Sequence, residues 1–166
     1  DVRSYETPVL VEALAGIKII DIACGGFHTA AVSSFGDVYS FGWNTNGQLG
    51  LRKAPQETFK MQDVKCQQVF PLPQLIELED ENEAVISVFC GHKHTILMTE
   101  AGRMFAAGLN NYGQLGCASH EEDIDKFTEI PIKIDKKAKI SCGYWTTHLT
   151  VDEKFENLLL RQDATV

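Results

Sequence analysis

The feature that most constrains this 166-residue chain is an internal repeat at an offset of 66 residues. Residues 24–50 align with residues 90–116 without a gap, and 11 of the 27 positions are identical. Unrelated chains of average composition would share about two. A third, partial copy runs over residues 140–149, with Cys142 lying 52 positions after Cys90. A chain with this pattern is assembled from repeated supersecondary units rather than folded around a single unrepeated core.

Each copy has the pattern of short antiparallel strands. In the first copy, Ile20, Ile22 and Cys24 alternate with more polar or smaller residues, which is typical of a half-buried strand. Further strands are predicted over residues 28–33 and 38–41, and over 104–107 in the second copy. Glycine-containing hairpin turns are predicted at residues 34–37 and 100–103.

The spacing of these strands predicts an all-β fold. Several short strands in repeats of 50 to 66 residues suit the blades of a β-propeller, with a β-solenoid as the alternative. The glycines at positions 47 and 113 are expected to let the chain reverse tightly after the third strand. Only residues 153–162, with three consecutive leucines, have a helical character, and this segment is predicted to be a short capping helix or a frayed end.

The motif shared by the copies resembles the repeat of the regulator of chromosome condensation family. It runs from Cys-Gly through His-Thr to a Gly-x-Asn-x-x-Gly-Gln-Leu-Gly ending, with many fixed spacings in agreement. Segments 8–11 and 131–134 are similar to the Pro-x-x-(Val/Ile) opening of that family's blades, and segment 73–76 is a looser match. The resemblance covers copies near residues 8–50, 73–116 and 131–151, followed by a C-terminal tail, 152–166.

The resemblance implies a partial β-propeller, about three blades of a seven-bladed ring. Three blades cannot close a ring, because their outer sheet faces and edges would remain uncovered. We therefore expect the rest of the same propeller to be needed for closure, and expect the chain to be a fragment, a nicked half or a co-folded piece. Residues 142–151 are expected to belong to the family's last, unfinished blade.

The resemblance also implies a function. The layout is similar to that of a short, chromatin-associated member of the family that forms a complex with a JmjC-domain oxygenase. This predicts a non-catalytic scaffold that binds such an oxygenase in the nucleus, with the cytoplasm as the alternative location. The founding member of the family implies a different activity, guanine nucleotide exchange on a small GTPase.

Charge and composition exclude several other classes. The net charge of −8 argues against electrostatic binding to nucleic acid, because such binding needs a basic face on the protein. No apolar run approaches the roughly 20 residues that span a bilayer, so no membrane partner is expected. The five cysteines are an odd number, which favours a reducing compartment. No phosphate-binding loop or nucleophile elbow is present, so we predict no catalytic residue, no cofactor and no metal.

The repeated cysteines and histidines are interpreted as structural. Cys24, Cys90 and Cys142 share one repeat position, which favours small core residues over metal or redox sites. The other two cysteines, at positions 66 and 117, are predicted to be surface or half-buried loop thiols. His28 and His94 also match each other, and we expect them to bond neighbouring backbone in a tight turn.

The candidate partner-binding residues are aromatic side chains predicted at the ends of the blades. Tyr and Trp are frequent anchors in protein interfaces. For Trp43, packing against the next blade is the alternative. Two inserts, at residues 51–70 and 117–129, and an acidic stretch at 77–83 are predicted to be loops, either solvated or functional. The five candidates are Phe27, Trp43, Tyr112, Tyr144 and Trp145.

Overall fold

Three antiparallel sheets make up the fold in a computed structural model of the chain. The structure describes residues 7–51, 69–78, 83–117, 121–132, 134, 138–150 and 157–160, the last of these as a strand only. A 3-10 turn at Glu12–Leu14 precedes the first sheet. Among the described residues, no helix has the length and apolar character needed to cross a bilayer.

The first two sheets are four-stranded and repeat each other, and the third has three strands. The first contains β1 (Ile19–Cys24), β2 (His28–Ser33), β3 (Val38–Trp43) and β4 (Val69–Ile76), in sequential order. The second contains β5 (Val85–Cys90), β6 (His94–Thr99), β7 (Met104–Leu109) and β8 (Asp123–Ile130), again in sequential order. The third contains β9 (Lys139–Cys142), β10 (Thr147–Thr150) and β11 (Asn157–Leu160), ordered β11-β10-β9. The predicted all-β fold is confirmed.

The repeat is preserved down to its irregularities. The β1–β2 pairing shifts register between Ile19 and Asp21, and the β5–β6 pairing shifts at the equivalent place. A second shift follows Ser40 in the first sheet and Ala106 in the second. Equal irregularities at equal positions show that each copy of the motif encodes the same twisted, bulged sheet.

The sheets pack face to face, with an apolar cluster between each pair. Between the first and second sheets the cluster includes Val32, Val38, Leu97 and Phe105. Between the second and third it includes Ile96, Met104, Ile140 and Leu149. The first strands of the sheets, β1, β5 and β9, lie in succession, since β1 contacts β5 and β5 contacts β9. We call the three sheets blades 1, 2 and 3.

The tail and the second insert differ from their predictions. Residues 157–160, predicted as part of a short helix or a frayed end, form β11 and pair with β10 from Thr150↔Asn157 to Thr147↔Leu160. Pairing supplies hydrogen bonds to the backbone groups along the edge of β10. These bonds outweigh the preference of a short leucine run for a helix. The insert predicted at 117–129 is not all loop, since most of β8 lies in it. Residues 52–68 and 79–82 lie outside the described residues, as does Cys66.

A hydrogen-bonded lock joins each blade to the next. The hydroxyl of Thr95 in blade 2 donates to the Gln48 carbonyl of blade 1 at 2.7 Å and lies 2.8 Å from Nε2 of His28. The second interface repeats this arrangement with Thr147, the Gln114 carbonyl and His94, at 2.8 and 3.1 Å.

The lock fixes the tautomer of each histidine. Because the single proton of the Thr95 hydroxyl goes to a carbonyl, which only accepts, Nε2 of His28 must be the donor. The predicted backbone partners of His28 and His94 were therefore wrong. The rings are structural, but the Nε2 atom of each bonds a threonine of the following blade.

Removing the threonine hydroxyl should loosen the lock. Thr95→Val leaves a buried donor on His28 and a buried carbonyl at Gln48 without a partner. We expect a loss of about 2–3 kcal/mol in the free energy of unfolding, measured by urea denaturation of the full-length protein. Thr95→Ser, which keeps the hydroxyl, should recover most of this loss.

Thr128→Val is the matched control for that substitution. Thr128 is exposed, and its hydroxyl donates to the Lys126 carbonyl at 3.1 Å. Its replacement should change stability by less than about 0.5 kcal/mol. Equal effects at positions 95 and 128 would mean that the lock does not hold the blades together.

Candidate functional site

The five aromatic residues singled out in the sequence lie together at one end of the blades. Phe27 stacks on Trp43 with a centroid distance of 4.9 Å, and Tyr144 contacts Trp145 at 4.4 Å. Tyr112 contacts Trp145 at 5.4 Å. All five are exposed, at 39–55% of their full surface. They come from all three blades, four of them from turns and Trp43 from the end of β3, so the structure unites residues up to 118 positions apart in sequence.

A sixth ring, His92, connects the two halves of this cluster. It lies 5.8 Å from Phe27 in a perpendicular contact and stacks on Tyr144 at 3.9 Å with an interplanar angle of 15°. It also contacts Trp145 at 6.1 Å. The result is one continuous surface across three blades. We call it the aromatic strip: Trp43, Phe27, His92, Tyr144, Trp145 and Tyr112.

Sequence reasoning missed His92, although the repeat contains the signal for it. His92 and Tyr144 occupy the same position of the motif, two residues after Cys90 and Cys142 respectively. Equivalent positions of adjacent blades lie side by side, so two rings at one position are expected to meet. Blade 1 has Gly26 at this position, where a side chain would overlap His92, since an added Cβ would come within 2.3 Å of its Nδ1.

Trp43, for which packing against the next blade is the alternative prediction, makes its ring contact within blade 1. Its only ring contact among the described residues is with Phe27 of its own blade, and 45% of its surface is exposed. The Trp43 backbone N–H donates to the Phe27 carbonyl at 2.8 Å, which holds the two residues side by side.

Side-chain hydrogen bonds hold two turns at this end of the blades, the turn that follows Trp43 and the turn that carries Tyr112. Oδ1 of Asn44 accepts from the Leu49 N–H at 3.0 Å, and Oδ1 of Asn110 accepts from the Leu115 N–H at 3.2 Å. The Gln114 side chain accepts from the Tyr112 N–H at 3.0 Å. These buried amides explain the Asn and Gln of the shared motif, because they replace backbone partners that a tight turn cannot supply.

Charged residues border the Tyr112 end of the strip. The Glu122 carbonyl accepts from the Asn110 N–H at 2.7 Å, which brings the acidic start of β8 beside the turn of Tyr112. Glu122 and its neighbour Glu121 are exposed, and Asp123 accepts from Nδ2 of Asn46 at 2.8 Å. Lys93, adjacent to His92 in the sequence, is half-buried. The border of the strip is therefore predominantly acidic.

The four described thiols differ in how far they are buried. Burial raises the pKa of Cys90 to about 12 and that of Cys142 to about 11, so both are protonated near neutral pH. Cys24 is exposed rather than in the core, because no described blade covers its face of blade 1. Cys117 is buried between blades 2 and 3, which corrects its prediction as a surface or half-buried thiol. No group of three potential metal ligands occurs within the described ranges.

Comparisons with known proteins agree with this architecture. The family model described as the regulator of chromosome condensation (RCC1) repeat matches residues 1–32, 36–98 and 101–149. The human protein RCC1 domain-containing protein 1 is 32% identical over 177 aligned residues, which cover 89% of this chain and 46% of the relative. This chain thus spans less than half the length of that relative.

Two solved structures show the same fold at low identity. Human WBSCR16 matches 83% of this chain with a TM-score of 0.66 and 20% identity, over 32% of its own length. Prp20p from Saccharomyces cerevisiae, described with its binding properties to Gsp1p and histones, matches 90% with a TM-score of 0.62 and 23% identity, over 33% of its length. The predicted partial β-propeller is confirmed.

Proposed function

Since this chain belongs to the regulator of chromosome condensation (RCC1) repeat family, we propose that it is part of a propeller that acts as a non-catalytic protein-interaction scaffold. The observation that carries the proposal is the aromatic strip. It is a continuous surface of six rings, of which five are solvent-exposed and His92 is half-buried. Buried amides hold the turn that follows Trp43 and the turn that carries Tyr112. Exposed apolar patches of this kind mark interaction sites, and Trp and Tyr dominate the energetics of interfaces.

The proposed partner is a JmjC-domain oxygenase at chromatin, so that the scaffold acts in the nucleus and the chemistry belongs to the partner. The similarity of the sequence to a short chromatin-associated member of the family supports this choice. The net charge of −8 supports a protein rather than nucleic acid as the direct partner. The rest of the propeller would cover the exposed face of blade 1, which displays Ile22 and Leu75.

Affinity purification of the tagged full-length protein from cells, with mass spectrometry of the co-purified proteins, tests the proposal. A stoichiometric oxygenase supports the scaffold. A small GTPase whose association depends on bound nucleotide would instead support guanine nucleotide exchange. The founding member of the family implies exchange on a small GTPase, which is the alternative to assay.

Substitutions in the strip should remove the partner without unfolding the blades. Trp145 contacts three rings, so Trp145→Ala should weaken binding by at least about 2 kcal/mol, or roughly 30-fold, measured by titration with the purified partner. Because the side chain is exposed, the free energy of unfolding should change by less than about 1 kcal/mol.

Phe35→Ala is the matched control for Trp145→Ala. Phe35 is the most exposed large apolar side chain of the described residues, at 84%, and it lies in the hairpin turn at the opposite end of blade 1. Its removal should leave the affinity unchanged. A partner that binds the Trp145→Ala variant normally and is lost with Phe35→Ala would place the interface at the other end of the blades.

A further inference from the structure

We propose that the aromatic strip binds an extended, arginine-bearing segment of its protein partner. This inference rests on the proposed function, because it names the chemistry that the same surface would recognise. Three properties of the described residues carry it: the arrangement of the rings, the acidic border, and the single row that the rings form across three blades.

The arrangement of the rings suits guanidinium groups. Stacked contacts, Phe27 with Trp43 and His92 with Tyr144, alternate with perpendicular contacts at 67° and 71°. The strip therefore presents rings in several orientations along its length rather than one flat apolar plane. A cation is attracted to the face of an aromatic ring within about 6 Å, and arginine adds planar stacking to this attraction.

The charges around the strip favour a cation over an anion. Glu121 and Glu122 are exposed beside the turn that carries Tyr112, and Asp123 follows them at the start of β8. Carboxylates next to aromatic rings form a combined site, in which a guanidinium can bond the carboxylate while it stacks on the ring. The net charge of −8 adds a long-range attraction for a basic segment.

The extended form of the ligand follows from the shape of the strip. The rings form a single row across three blades, from Trp43 of blade 1 through His92 of blade 2 to Trp145 of blade 3. An extended peptide places side chains along such a row, whereas a compact ligand would cover only one or two rings. The strip is therefore suited to several arginines spaced along one segment.

Charge substitutions test the inference with an effect that a purely apolar interface would not produce. The full-length protein is titrated with a labelled peptide of arginines spaced by Gly and Ser, followed by fluorescence anisotropy. Lys93→Glu should tighten binding several-fold, and Glu122→Gln should weaken it several-fold, since a charge near a partly desolvated site changes binding by about 1 kcal/mol. Both effects should shrink at high salt.

Matched controls lie at the opposite end of the strands. Lys18 precedes β1 and Glu77 follows β4, and both are exposed. Lys18→Glu and Glu77→Gln make the same charge changes away from the strip. Each should alter the affinity much less than its counterpart at position 93 or 122.

Other ligand chemistries provide the outcomes that overturn the inference. A peptide with glutamate in place of arginine, a proline-rich peptide and a single-stranded oligonucleotide are titrated in the same way. The inference is overturned if any of these ligands binds as tightly as the arginine peptide. It is also overturned if Lys93→Glu and Glu122→Gln leave the affinity for the arginine peptide unchanged.

If the inference is overturned but Trp145→Ala still loses the cellular partner, the proposed scaffold function stands and only the cationic ligand is wrong. If Trp145→Ala retains the partner, the scaffold site itself is wrong.

Discussion

Gly42→Val should destabilise the full-length protein by at least about 4 kcal/mol in urea or thermal denaturation. Gly42 has a φ of +107°, which a β-branched residue adopts only at a cost of about 1–3 kcal/mol. A Cβ at this position would also lie 2.5 Å from the Phe27 carbonyl oxygen and 2.7 Å from Cα of His28. Both are backbone atoms, so β2 and β3 would have to separate where the Trp43 N–H bonds the Phe27 carbonyl.

Gly16→Val separates these two contributions. Gly16 also has a positive φ, +81°, but no atom lies within 4 Å of an added Cβ. The same substitution there introduces backbone strain without overlap and should cost about 1–3 kcal/mol. If Gly42→Val lowers the free energy of unfolding no more than Gly16→Val does, the overlap of the added side chain with the backbone near Gly42 does not add to the destabilisation.

The same substitution tests whether Gly42 is structural or functional. Because Phe27 and Trp43 flank the overlap, loss of stability and loss of partner should occur together. A Gly42→Val protein that stays fully stable yet loses its partner would contradict the structural role assigned to this glycine.

The repeat in the sequence was sufficient to predict the blades, because identity at fixed spacing fixes the turns. Gly36 and Gly102 have positive φ at the predicted hairpins, and Gly47 and Gly113 do so in the predicted reversals. The fourth strand of each blade was harder to predict. β8 pairs with β7 from Leu109↔Asp123 to Met104↔Ile130, but its acidic sequence, Asp123–Ile130, reads as a loop. Its place in the sheet comes from the free edge of β7, which is a tertiary property.

Five of the six residues of the aromatic strip were predictable, but the surface that they form with His92 was not. Turn positions identified Phe27, Trp43, Tyr112, Tyr144 and Trp145 as exposed. Their mutual contacts depend on the spacing and rotation of neighbouring blades, which no single copy of the motif encodes. The same limitation hid the lock, because the partner of His28 is Thr95, 67 residues away in the next blade. Within one copy, His28 has only its own turn as an apparent partner.

The two locks also have a consequence for pH, since each depends on a neutral histidine. Burial lowers the pKa of His28 from its ordinary value of 6.5 to about 4, with smaller contributions from His94 and His92. Burial alone lowers the pKa of His94 to about 4. In each ring Nδ1, the atom that would take up the proton, is buried and has no hydrogen-bond partner among the described residues. A proton there would place an uncompensated charge between packed blades.

Stability should therefore fall as the pH drops from about 6.5 to about 4. When the pH falls below 6.5, the histidines of the unfolded chain bind protons before those of the folded chain, so the free energy of unfolding decreases with decreasing pH. Each histidine contributes about 1.4 kcal/mol per pH unit within this window, or roughly 3 kcal/mol over the whole of it. Above pH 6.5 the contribution is complete, and below about 4 it is lost and the slope levels off.

Urea denaturation of the full-length protein at half-unit steps from pH 7.5 to 4.5 measures this effect, because the window lies mostly above the titration of ordinary carboxylates. His28→Gln removes one titrating group and keeps a side-chain donor, so the variant should be less stable at pH 7.5 and its stability should fall less steeply as the pH is lowered.

His148→Gln is the matched control. His148 is exposed and lies outside the two locks, so its replacement should leave the pH dependence of the free energy of unfolding nearly unchanged. Parallel profiles for the wild type and His28→Gln would show that a neutral His28 is not required for the stability of the blades.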